Sequence, residues 1–106
     1  MADGAPAVFR LAPASGGGLS AQGPLTFATA RGARLAGLAA LRGASGATRI
    51  DCSRVTSADS AGLAVLLDWL AGARLAGVSL QFTSLPQDLT ALGRISEVEQ
   101  LLARGV

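Results

Sequence analysis

The stretch over residues 50–67, Ile-Asp-Cys-Ser-Arg-Val-Thr-Ser-Ala-Asp-Ser-Ala-Gly-Leu-Ala-Val-Leu-Leu, constrains this chain more than any other. Residues 48–52 read as a buried strand, with Ile50 and Cys52 on one face and Asp51 reaching the carboxyl end. Residues 54–59 read as a polar loop. From Ser60 onward, Leu63, Leu66, Leu67 and Leu70 recur at i, i+3, i+4 and i+7, the stripe of an amphipathic helix. Either Asp59 or Ser60 then supplies the N-cap oxygen for the free amides of the first turn. Strand, loop and helix follow one another, and the helix N-terminus displays a hydroxyl between flanking carboxylates.

The rest of the chain arranges itself around that unit. Residues 8–12 alternate as a strand, Ala-Ser-Gly-Gly-Gly at 14–18 is a turn cluster, and residues 18–22 return as the second strand of a hairpin. The glycine run reads as a turn and not as a phosphate-binding loop, because it opens no helix and the chain has no Lys. Gly23-Pro24 breaks the strand, and Thr26 can cap a helix whose apolar side carries Phe27, Ala30, Leu38 and Leu41. Glycines at 43 and 46 end it. The central helix closes at Gly77, and residues 78–83 form a strand with Val78, Leu80 and Phe82 inward. A short helix follows at 87–92, capped by Ser84 or Asp88, and a last one at 95–102 with Ser96 as cap. The expected fold class is α/β. A small mixed sheet, an N-terminal antiparallel hairpin followed by parallel strands, packs with about four helices. One domain spans 8–104, and residues 1–7 are a flexible lead-in. Gly-Ala-Arg-Leu-Ala-Gly occurs at both 32–37 and 72–77; flanking residues do not match, so it reads as a coincidence of composition.

Composition narrows the functional classes. At 106 residues there is room for one core. The nine basic residues are all Arg, scattered singly, and the net charge is +2, which leaves no electrostatic footprint for nucleic acid. Without His or Lys, and with one Cys, a His-based triad, the usual zinc sites and a Lys Schiff base are excluded. Neither a metal, a cofactor nor catalysis is expected. A single Cys in a strand allows no internal disulfide and fits a reducing compartment. The sequence shows no signal-peptide pattern and no apolar run near the ~20 residues a membrane helix needs. The expectation is a soluble cytoplasmic chain with no direct membrane insertion.

Several residues carry two readings. Ser60 is either the N-cap or a functional hydroxyl. Asp51 is either a structural acceptor that, with Ser53, ties the following loop, or a partner contact. Asp59 is expected to be exposed. Gly62 costs ~1 kcal/mol against Ala within a helix and suggests that something packs closely on the first turn. On a 100° wheel, Ala61, Val65, Trp69, Gly72 and Ala76 fall opposite the Leu63–Leu66–Leu67–Leu70 side, so the helix is apolar on both faces. Such a helix is either fully buried or docked to a partner. Docking is the reading favoured here, with Trp69 largely in water in the free domain.

Asp51-Cys-Ser-Arg-Val-Thr-Ser-Ala-Asp-Ser-Ala-Gly-Leu resembles the signature of STAS domains: Asp-x-Ser, a short loop, then Asp-Ser/Thr-x-Gly-Leu. The resemblance covers roughly residues 9–102 and implies a non-enzymatic binding domain, with Ser60 as a phosphorylation or partner-contact site. Gly23-Pro-Leu-Thr-Phe-Ala-Thr-Ala and the Asp-Ser-Ala-Gly-Leu-Ala form look like the single-domain STAS subunits of bacterial phospholipid ABC transporters, which maintain outer-membrane lipid asymmetry. That likeness implies binding to the transporter's ATPase subunit, in a complex with the permease, at the cytoplasmic face of the inner membrane. The implied contacts are Ser60, Asp59, Ala61, Gly62, Val65 and Trp69, and the implied effect is to stabilise or activate the ATPase. The alternative is an anti-sigma factor antagonist, switched by a serine kinase at Ser60.

Overall fold

The structure, a computed structural model, describes residues 8–106. The expectation for residues 1–7 lies outside the described residues. Four strands and four helices follow in the expected order: β1 (Arg10–Pro13), β2 (Leu19–Leu25), α1 (Ala30–Arg42), β3 (Ala47–Ala58), α2 (Ser60–Ala76), β4 (Ser79–Thr83), α3 (Gln87–Ile95) and α4 (Glu99–Arg104). The sheet order is β1-β2-β3-β4, antiparallel for the first pair and parallel for the other two. Because each crossover steps the same way across the sheet, right-handed connections bring α1 and α2 to one face, where they pack together. The other face is polar: Arg10, Gln22 and Arg54 form one cross-strand row, and Arg49 pairs with Gln81 in another. The glycine run is the hairpin turn, closed by Ala14 N–H to the Gly18 carbonyl at 3.0 Å. At the far edge, Val106 exchanges backbone hydrogen bonds with Leu80 at 2.9 and 3.0 Å, which occupies one position of the otherwise bare β4 edge.

Two expectations about the strands are corrected. All but the last residue of the expected polar loop at 54–59 is strand: β3 continues to Ala58, paired with β2 as far as Leu25↔Ala58. Two register shifts, at Ser20/Gln22 and at Gly23/Pro24, carry the pairing through. Inward Val55 is buried while Arg54, Thr56 and Ser57 are exposed, because β4 stops opposite Asp51 and leaves this half of β3 with one neighbour. Nor does Gly23-Pro24 end β2. Pairing with β1 extends only to Gln22, so the missing Pro24 N–H falls on an open side of the strand, where the ladder loses nothing. The helix caps shift too. Thr29, not Thr26, precedes α1; Pro86 stands at the N-cap of α3; and α4 begins at Glu99 after Val98 rather than after Ser96.

The larger correction concerns α2. Trp69 has no exposed surface. Its ring lies between Phe9 and Phe82, at centroid distances of 6.0 and 6.5 Å, and its indole N–H donates to the carbonyls of Ala33 and Arg34 in α1 at 3.2 and 3.3 Å. The wheel placed Trp69 away from the leucine face correctly, but that side is covered by α1 and not by solvent. Gly37 makes the cover possible: a Cβ there would collide with the indole nitrogen. One turn further down, a Cβ on Gly72 would meet the Leu38 side chain at 2.5 Å. The two copies of the hexapeptide are therefore not structural equivalents. Gly37 ends the first and Gly72 begins the second, whereas Gly32 faces open space and Gly77 is the left-handed residue (φ 72°) that closes α2. With α3 on its other flank, α2 exposes a strip through Ser60, Ala64, Asp68 and Ala71 that widens over its last turn to Arg74, Leu75 and Ala76.

A buried indole predicts its own readout. Trp69→Ala should destabilise the fold by ~3–5 kcal/mol, measured by urea denaturation. The native emission of the only Trp should be blue-shifted and protected from a soluble quencher. Red-shifted, freely quenched emission would place the ring outside.

Candidate functional site

The strand-to-helix corner after β3 is built around Asp59. Its backbone is extended (φ −134°, ψ −169°), and its Oδ1 accepts from the Gly62 N–H at 3.1 Å, satisfying a free amide of the first turn. Its Oδ2 accepts from the Phe27 N–H at 3.0 Å, across 32 residues of sequence. One carboxylate thus caps α2 and holds the β2–α1 connection. The Phe27 and Gly62 amides, with a smaller opposing effect of burial, keep the Asp59 carboxyl below its ordinary range.

The connection itself is tightly pinned. The Thr29 hydroxyl donates to the Pro24 carbonyl at 2.8 Å and accepts from the Thr26 N–H at 3.0 Å. The Asp59 N–H reaches the Leu25 carbonyl at 3.4 Å. Gly62 sits over that carbonyl so closely that a Cβ would strike its oxygen. What packs on Gly62 is therefore the chain's own β2 and not another molecule.

The residues singled out from sequence separate accordingly. Asp59, Ser60, Ala61 and Gly62 do come together at one corner. Asp59 is the cap and Ser60 is not: Ser60 is the first helical residue, exposed, and its hydroxyl takes part in no hydrogen bond among the described residues. Ala61 is half-buried. Gly62, Val65 and Trp69 are buried inside the fold, and the expectation that they face outward is corrected. Asp51 and Ser53 lie elsewhere. The Asp51 carboxylate accepts from the Ser53 N–H and from the Ser53 hydroxyl, both at 3.0 Å, across the first irregularity of β3. That is the structural role considered for Asp51. At ~3.3 Å per residue, the length of β3 sets Asp51 on the order of 20 Å from Asp59, so the two carboxylates do not flank one hydroxyl. Between Asp51 and Ser53, burial and the neighbouring Asp51 charge push the Cys52 thiol up to about 12, which leaves it an inert core side chain.

One residue at the corner escaped the sequence reading. Phe27 departs from its expected place on the apolar side of the first helix: it precedes that helix and is 85% exposed. Among the described residues no other aromatic side chain is exposed. The signal that could have found it is the pair Thr26 and Thr29 after Gly23-Pro24, hydroxyls at the spacing that closes a turn. Two surface clefts lie away from this corner. One, about 310 Å³, lies beside the Gly16–Gly18 turn, and the other, about 530 Å³, lies along the far end of α2 near Leu75 and Leu101.

Fold and corner together define a class: a small α/β module whose mixed sheet presents an unengaged hydroxyl on the first turn of its central helix. The family model described as "Mlab, STAS domain" matches residues 10–103, and the chain belongs to the STAS family. A search among curated proteins finds no match. No helix among the described residues is long and apolar enough to cross a membrane.

The division between cap and hydroxyl is testable. Ser60→Ala should change stability by no more than about 0.5 kcal/mol, as for a surface position, while Asp59→Ala should lower the melting temperature clearly. The pH dependence follows from the lowered Asp59 carboxyl. Its contribution is present above the ordinary aspartate value of 3.8 and disappears as pH falls through the lower folded value. Acid titration of the urea midpoint should show that loss in the wild type and a flatter profile in Asp59→Asn. Faster exchange of the Phe27 and Gly62 amides should accompany it.

Proposed function

We propose that this chain is the STAS subunit of a phospholipid-transporting ABC complex, of the Mlab type, and that it binds the ATPase subunit through the Ser60 corner. The match to the Mlab description supports this reading. The observation that carries it is the Ser60 hydroxyl, exposed on a rigid turn and released from capping by Asp59. A small side chain on a fixed helix terminus lets a partner backbone approach closely, and no loop must be ordered on association. The module acts by holding the ATPase in one arrangement and carries no reacting group of its own; it sits at the cytoplasmic face of the inner membrane through that partner.

The second reading, an anti-sigma factor antagonist, is favoured by the same residue seen differently. A phosphate on Ser60 would stand at the positive end of a 17-residue helix. Purification from the native cell separates the two. A tagged chain should bring down an ABC ATPase with its permease; recovery of a serine kinase and an anti-sigma factor in their place would select the second reading. Under the first, Ser60→Glu should leave the domain folded and weaken ATPase binding at least tenfold by calorimetry, because it inserts a charge into a close contact. Ser60→Ala should bind nearly as the wild type does. Equal, wild-type affinity in both variants would remove Ser60 from the interface.

A further inference from the structure

Phe27 is an anomaly at an ordered place. Its backbone N–H is bonded to Asp59 Oδ2, and the Thr29 hydroxyl ties the loop on either side of it. Nevertheless its ring is 85% exposed, while Phe9, Phe82 and Trp69 pack into or against the core. A mobile loop can fold an aromatic ring back onto the protein; this loop is held so that the ring points away. Beside it, Val8, Phe9, Ala28 and Gly32 border a shallow cleft of about 220 Å³. Ring and cleft together form a knob next to a hole, on the same connection that Asp59 fastens to the Ser60 turn.

We propose that Phe27 is the aromatic anchor by which this corner engages its partner, and that Asp59 is the positioning residue that holds it ready. The assignment of the partner as the ATPase subunit rests on the function proposed above. The occupant is an apolar socket on that subunit with a neutral or basic border. A second copy of the chain is disfavoured by charge. Asp59 has no cation within ion-pair distance among the described residues, and a two-fold contact centred on this corner would set the two Asp59 carboxylates against each other. Preorganisation gives the anchor its value, since a ring already fixed in place loses little freedom on binding.

The test is calorimetric titration of this chain with the co-purifying ATPase subunit. Phe27→Ala should weaken binding ~30-fold or more at unchanged melting temperature, because the ring contributes little to the isolated fold. Leu35→Ala, at an exposed apolar position on α1, should bind as the wild type does. Asp59→Asn should weaken binding in the wild-type background and far less in the Phe27→Ala background, while raising exchange at the Phe27 amide. A purely structural Asp59 would weaken both backgrounds equally, which would remove its positioning role. If the wild type binds and Phe27→Ala binds equally well, the anchor is overturned while the functional reading stands. If the wild type does not bind the ATPase, both fall. A concentration-dependent dimer in sedimentation that Phe27→Ala dissolves would seat a second copy on the ring and also overturn the proposal.

Discussion

Close approach of α1 to α2 is the constraint on which the rest of this structure depends. The approach happens at Gly37 and Gly72, where absent Cβ atoms admit the Trp69 indole and the Leu38 side chain. Glycine within a helix costs ~1 kcal/mol against alanine. Burial of an indole that would otherwise face water more than offsets two such costs, since deleting a buried aromatic ring costs ~3–5 kcal/mol. The indole N–H also needs an acceptor once buried, and the second lone pairs of the Ala33 and Arg34 carbonyls supply it. Among the described residues no buried side-chain nitrogen or oxygen is left without a partner.

This constraint explains what the sequence revealed and what it withheld. Element order was legible because period-2 and period-3.6 patterns alternate along the chain and are separated by glycine, proline and serine clusters. The covering of α2 was not. The helical wheel reports that Val65 and Trp69 lie opposite the leucine stripe, but periodicity cannot say whether that side meets a partner or another helix of the same chain. The decisive information sat in Gly37 and Gly72, two glycines in helix interiors, and their repeated hexapeptide context made them look like a coincidence of composition. The far half of β3 was hidden for a related reason. Arg54-Val-Thr-Ser offers a single inward apolar residue because β4 is too short to cover it, and so a one-neighbour strand reads as a polar loop.

The site was half legible. The motif located the corner, and Asp59 and Ser60 were the right pair to consider for the cap. Propensity could not choose between them, since both residue types cap well. The choice is made by the Phe27 amide, a donor 32 residues away in sequence that only a carboxylate with a second free oxygen can accept while also bonding Gly62. Serine has one side-chain oxygen and could not link both amides with this geometry. Capping and fastening therefore fall to Asp59, and the neighbouring hydroxyl stays unengaged. Asp51 illustrates the opposite error, because seven residues of extended chain separate it from Asp59, where a compact loop would have kept the two together.

In a domain of this size the core takes up most of the central helix. Its central helix is needed to close the core, so Val65 and Trp69 are committed to α1, Phe9 and the sheet and are not available to a partner. The open face of the sheet is polar, with Arg10, Gln22 and Arg54 in one row and Arg49 beside Gln81 in another. The Ser60 corner lies at the rim, where connections leave the parallel strands and helix N-termini begin. At that rim the residues pressed most closely together, Gly62 against the Leu25 carbonyl, are also those that fix the connection carrying Phe27. Under the proposed function, packing and recognition use the same turn from opposite sides. Gly62 faces inward and sets the height of α2 over β2, while Ser60 faces outward at a position this packing determines.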